Sequence, residues 1–197
     1  MKSVDFKITV PNAVLPVSVV EARRQLRNEG GSFDDDYIEA LIWAAAASIE
    51  QQYGLALIET TVEQYHTGFP GSSDKPLFFR IAPLLPASPI VSITYTDSSG
   101  NLQTLNNNHF TTGGYNGWPF LVPTVNNEWP SDAATLPNAV KVTYKAGFGT
   151  TAEAVPMPVK QAILLMMSDL YQNREDRPDT LPRASEALLR PYYRPSV

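Results

Sequence analysis

The sequence changes hydrophobic period twice, and this limits the folds open to it. Residues 34–54, DDDYIEALIWAAAASIEQQYG, place Ile38, Leu41, Ile42, Ala45 and Ile49 at helical spacing on one face. From about Thr60 the spacing shortens to two: Thr61–His66 alternates, Leu77–Ile81 is a buried-type run, and IVSITYT (Ile90–Thr96) and AVKVTYKA (Ala139–Ala146) are rich in β-branched and aromatic residues. Helical spacing then returns in VPMPVKQAILLMMSDL (Val155–Leu170), with Val159, Ile163, Met166 and Leu170 on one face and Ala162 and Met167 flanking it. Helix, strands, then helix in 197 residues without a repeat is an α+β pattern. The N- and C-terminal helices are expected to pack as a small bundle, with an antiparallel β-domain inserted between them.

Local signals divide the chain further. Ser18-Val-Val-Glu21 is a capping box that opens a short helix, VVEARRQLR, which NEGGS ends. Asp34, Asp35 and Asp36 stand where the next helix begins, and Gly54 where it stops. Asp97-Ser-Ser-Gly100 is a turn returning NLQTL as a hairpin strand. Pro156 and Pro158 suit a first helical turn, where a missing N–H costs nothing. The expected parts are a helical segment 1–59, a β-rich insertion 60–146, a returning helix 147–175 and a proline-bounded C-terminal arm 176–197 holding SEALLR.

The returning helix is apolar on more than one side. Leu164 and Leu165 project among Lys160, Ser168, Asp169 and Gln172, so a single core-facing stripe does not account for them. Trp43 and Ala44–Ala47 widen the stripe of the long helix, and their small side chains admit close approach of another helix. Either the β-domain covers this surplus apolar surface or a partner does.

Composition excludes several partners. AILLMM is far shorter than the ~20 residues a membrane span needs. MKSVDFKITVPNAVLPVS has no long apolar run after its lysine, so no secretory signal is expected. There is no cysteine, hence no disulfide, thiolate metal site or cysteine nucleophile. A net charge of −5 argues against gripping nucleic acid, and the nearest basic cluster, Arg23, Arg24 and Arg27, reads as one helix face, solvated or paired with acids.

Signals for catalysis are weak. Gly147-x-Gly149-x-x-Ala152 approaches the dinucleotide-binding fingerprint, but prolines open the helix that follows and no acid-tipped strand comes after it. A strand-to-helix turn using glycine at positive φ is the preferred reading. Consecutive helical residues diverge by about 100°, so Asp34–Asp36 suit a helix start better than an Mg²⁺ or Ca²⁺ site. His66 and His109 are isolated, and no H-E-x-x-H, G-x-S-x-G or phosphate loop is present. No catalytic residue, metal ligand or cofactor is therefore nominated, although the residues leave open an enzyme in the β insertion using His66 or His109. Tyr115, Trp118, Phe120 and Trp129 could stack on a sugar or base, which makes a ligand- or carbohydrate-binding β-module using the aromatic loop 111–130 the alternative function. Pinning the loop to the sheet or a neighbour is preferred.

Taken in order, LPVSVVEARRQLR, DDDYIEALIWAAAASIEQQYGLALIETT, PLLPASPIVSITYTDSSGNLQTLNNNHF, VTYKAGFGTTAEAVPMPVKQAILLMMSDLYQNRE and EALLRPYY span most of the chain. This ordered set resembles the head–tail connector (head-completion, or adaptor) proteins of tailed bacteriophages and prophages. The loop 111–137 departs from that pattern, keeping the Trp129-Pro130 pair. The resemblance implies a non-enzymatic, structural virion protein at the head–tail interface, assembled in the host cytoplasm. Such a subunit forms a homo-oligomeric ring, typically a dodecamer, beneath the portal protein. It extends the channel through which genomic DNA passes without sequence-specific contact, and it docks a tail or stopper protein. Trp43, Leu164, Leu165, Leu188, Leu189, Tyr192 and Tyr193 are the expected subunit or portal interface.

Overall fold

The computed structural model describes residues 5–10, 14–27, 32, 34–71, 75–114, 118–173 and 183–192. Two compact units emerge: Asn12–Ile58 with Phe148–Val197, and Met1–Pro11 with Glu59–Gly147. The first is helical and the second is built from strands, an α+β fold.

The helical unit begins with α1 (Val19–Leu26), whose capping box forms: Glu21 N–H donates to Ser18 Oγ at 3.2 Å, and Ser18 N–H donates to Glu21 Oε2 at 2.9 Å. The Ser18 backbone bond, first among several effects, holds the Glu21 carboxyl below its usual pKa. α2 (Asp35–Tyr53) ends at Gly54, whose φ of 62° supplies the left-handed cap. α3 (Met157–Gln172) takes Pro158 in its first turn. α4 (Arg183–Leu189) packs on α3. The core joins Val17 and Ala22 to Ile38, Ile42, Ala45 and Ile49 of α2 and Val159, Ala162, Ile163, Met166 and Met167 of α3.

Three expectations for these helices change. Leu170 is exposed, whereas Lys160 is buried. The C-terminal segment is not a free arm where it is described: Leu189 is fully enclosed in the helical core, and Tyr192 meets Phe148 edge-on at 6.1 Å. Two leucines and a tyrosine within five residues give α4 enough apolar surface to dock despite its flanking prolines.

The strand unit contains two antiparallel sheets. The larger has the order β1–β2–β8–β4–β5, from β1 (Asp5–Val10), β2 (Thr60–His66), β4 (Ile90–Thr96), β5 (Leu102–Leu105) and β8 (Val140–Ala146). The smaller is β3–β7–β6, from β3 (Leu77–Phe78), β6 (Phe110–Gly113) and β7 (Phe120–Pro123). The register sets Val62 opposite Tyr144, Gln64 opposite Val142 and Ile93 opposite Val142, so these side chains share one buried face. The 97–100 turn forms around Asp97, whose carboxylate accepts from Gln103 Nε2 and from the Ser99 and Asn101 N–H groups, holding its pKa down. Segment 1–59 is not wholly helical, because Asp5–Val10 alternates well enough to pair with β2 and join the sheet. The run Leu77–Ile81 makes only a two-residue strand, and Phe79 and Ile81 beyond it remain buried.

Candidate assembly surface

The outer side of α2 carries a line of small side chains. Tyr37, Ala40, Ala44 and Ala47 lie on one exposed stripe, and Trp43 beside it is half-buried. Three small side chains in line along this 19-residue helix are what a partner helix can approach closely, with Asp36, Glu39, Gln51 and Gln52 exposed to either side of them. On α3, Leu164 and Leu165 are both half-buried, but their roles differ. Leu164 packs against the subunit's own helical core, as do Leu188 and Tyr192, whereas Leu165 and Trp43 stand outside that cluster. Leu189 is removed from the expected interface by its complete burial, and Tyr193 lies outside the described residues.

Fixed polar contacts frame this surface. Tyr171 donates its hydroxyl to Asp34 Oδ2 at 2.6 Å and packs its ring 6.0 Å from Tyr37. Arg23 forks onto both carboxylate oxygens of Asp35. That ion pair raises the Arg23 pKa and accounts for one member of the basic cluster. Asp34 and Asp35 thus turn to different partners, as divergence along a helix requires. Among the described residues, no group of three His, Asp or Glu side chains is arranged to hold a metal ion.

The other candidate chemistry resolves into structure. Gly147 takes φ 135°, and a Cβ on Gly149 would stand 2.5 Å from the Ala154 Cβ. The glycines therefore serve a turn and a close approach within the chain. His66 is buried with its Nε2 2.9 Å from Gln64 Nε2, while His109 is exposed in a 3-10 turn. The indole of Trp129 stacks on Phe69 at 5.2 Å and on Phe110 at 5.1 Å, and its Nε1 donates to the Lys75 carbonyl. Only 7% of Trp129 remains exposed, so it has no open face for a sugar ring. Trp118 is more open and meets Phe78 edge-on at 6.2 Å, and Phe120 also meets Phe78 edge-on, at 6.3 Å. Tyr115 lies outside the described residues. A cleft of about 470 Å³ beside Trp129 is lined by Phe69, Pro70, Glu128, Pro130, Ser131 and Thr135. None of the described helices is long and apolar enough to cross a membrane.

Sequence reasoning missed two positions. Lys160 is buried near Glu21 and Glu153, whose pKa values it helps to lower. Gln64 hides inside a strand of ordinary alternation, and its polar type at an inward position was the available signal.

No protein-family model matches the chain, and no curated protein sequence matches it. Solved structures do. A chain in the neck of an empty gene transfer agent particle, computed with C6 symmetry, superposes with a TM-score of 0.78 at 20% identity, covering 98% of this chain and 97% of that one. The fold is that of a particle-neck chain. A chain in the virion of a native gene transfer agent particle matches at 0.77 and 22% identity over 98% and 96%, and one in the native neck computed with C12 symmetry at 0.69 and 20% over 99% and 97%. Each likeness runs through both units, with almost nothing left over on either side.

Proposed function

We propose that this chain is a head–tail connector subunit of a phage or phage-like particle. The observation that carries this reading is the near end-to-end correspondence with neck chains, TM-score 0.78 over 98% of this chain and 97% of the other. Copies close into a ring, twelve-fold in the assembled particle, beneath the portal protein. The ring extends the DNA channel and offers the tail or stopper protein a docking surface. Its mechanism is geometric, with no bond made or broken and no cofactor. An acidic subunit of net charge −5 favours a lumen along which DNA slides, because phosphates are repelled rather than held.

Ring closure by rotation needs a heterologous contact, one face of a copy meeting a different face of the next. The alanine stripe of α2 with Trp43, and Leu165 with the flank of Leu164, supply two such faces on the helical unit. Leu188 of α4 and Tyr192 just beyond it, both half-buried, are the candidate contacts for the portal. The test is electron microscopy of the purified chain mixed with portal rings of the same particle. A second ring stacked on the portal is expected with the wild type. It should be lost with Leu165→Glu while that variant keeps its helical circular dichroism. A portal that stays bare with the wild type overturns the function, and a ring indifferent to Leu165→Glu overturns the interface alone.

A further inference from the structure

The buried face of the larger sheet continues past the part this subunit covers. β1 pairs with β2 on one side, and no described strand lies on its other side. Phe6 stands opposite Gln64 and Ile8 opposite Val62, both fully buried, so Phe6 and Ile8 belong to the same inward face. Yet Phe6 is 38% exposed and Ile8 47%. Asp5 and Lys7 alternate with them, opposite Tyr65 and Glu63 on the polar face. The carboxylate of Asp5 takes the Phe6 N–H at 2.9 Å, filling a position that a neighbouring strand's carbonyl would otherwise occupy.

We propose that this edge is a docking surface for the same edge of a second copy, the two β1 strands pairing antiparallel about Phe6. The occupant follows from complementarity. Antiparallel self-pairing keeps apolar opposite apolar only when it is centred on a residue or offset from that by whole pleats. Centring on Lys7 sets lysine against lysine. Centring on Phe6 sets Phe6 against Phe6 on the apolar face, and Asp5 against Lys7 of the second copy, twice, on the polar face. The opposite edge of the sheet, β5, reads LQTL and has no charge to answer Asp5 or Lys7. A lysine on an edge strand ordinarily discourages pairing; an aspartate two residues away turns it into a selector for one register. On pairing, Asp5 leaves the Phe6 N–H for the opposing lysine, and the strand backbone of the second copy takes its place.

This contact is two-fold, so it stands apart from the heterologous surface that closes a ring and describes subunits outside one. Sedimentation equilibrium on the full chain, from about 10 µM to about 500 µM, brackets the weak affinities at which such an edge associates. Wild type is expected to form dimers in that range. Lys7→Asp places four carboxylates together and weakens the dimer at least about tenfold. The double variant Asp5→Lys/Lys7→Asp restores opposite charges and with them the dimer, which also shows that the single variant had not misfolded. A wild type that stays monomeric throughout overturns the proposal. So does any association that Lys7→Asp leaves unchanged or that the double variant fails to recover.

Discussion

Gln64 offers the sharpest test of how the strand unit is held. Its side chain is fully buried and all of its polar capacity is engaged. Nε2 donates to the Phe78 carbonyl at 2.8 Å and lies 2.9 Å from His66 Nε2; Oε1 accepts from Arg80 N–H at 2.8 Å and from the Tyr144 hydroxyl at 3.2 Å. Tyr144 in turn accepts from Ile81 N–H at 3.2 Å, so one amide clamps the 78–81 segment across β2 and β8. Gln64→Leu preserves volume and removes every one of these bonds. The Arg80 N–H and Phe78 carbonyl lose their side-chain partner, at about 1–3 kcal/mol for each buried group left unpaired. Some water can reach the exposed side of Phe78, which lowers the total, so a loss of about 3 kcal/mol is expected. For a chain of this length that is a fall in Tm of roughly 6–12 °C. Urea unfolding followed by near-ultraviolet circular dichroism gives the free energy. Hydrogen exchange at the Arg80 amide, which should lose its protection selectively, gives the location. A cost below about 1 kcal/mol, with Arg80 still protected, would falsify the clamp.

Two further perturbations follow from groups buried at a disadvantage. Burial raises the pKa of Glu50 against the opposing effect of the bond it accepts from Leu57 N–H at 2.8 Å. A carboxyl whose pKa is raised on folding binds its proton more tightly in the native state, so its effect is least costly at acid pH and lowers stability as pH rises from the ordinary glutamate pKa through the raised value. Glu50→Gln keeps the acceptor for Leu57 and carries no charge, so denaturation curves should show it more stable than wild type at pH 7 and indistinguishable at pH 4; a loss of stability at pH 7 refutes the burial argument. Ser185 is fully buried on α4, and its hydroxyl has no hydrogen-bond partner among the described residues. Ser185→Ala should strengthen α4 docking by about 1 kcal/mol, read as slower amide exchange in Arg183–Leu189, and faster exchange there would show that the hydroxyl is satisfied after all.

What the sequence disclosed was local. The Ser18–Glu21 box, the α2 stripe, the Asp97 turn, the alternation of β2 and the β-branched and aromatic runs of β4 and β8 are each local signals, and each element formed. The misreadings depended on contacts distant in sequence. β1 alternates over six residues, but its partner β2 lies more than fifty positions on, and its place beside the α1 cap assigned it to the helices. Leu189 is an apolar residue in a proline-bounded piece, and only the position of α3 decides that it is enclosed. Leu164 and Leu165 are adjacent and chemically identical, yet only one packs on the helical core, a difference set by helix rotation that composition does not encode. Trp129 was legible as a loop pin by type and neighbourhood, although Phe69 and Phe110 were not legible as its two covers.

The strand unit leaves and rejoins the helical chain through two strands whose ends lie side by side, since Thr60 is paired directly with Ala146. An excursion that starts and finishes at one ladder rung is a graft: its far loops can lengthen, shorten or change character while the stem stays the same width. The long 111–137 stretch is where such drift has room, at no cost to the helices. β1 ties the graft to a third piece of chain, so wholesale loss of the insertion would strand that segment, whereas trimming its outer hairpins would not.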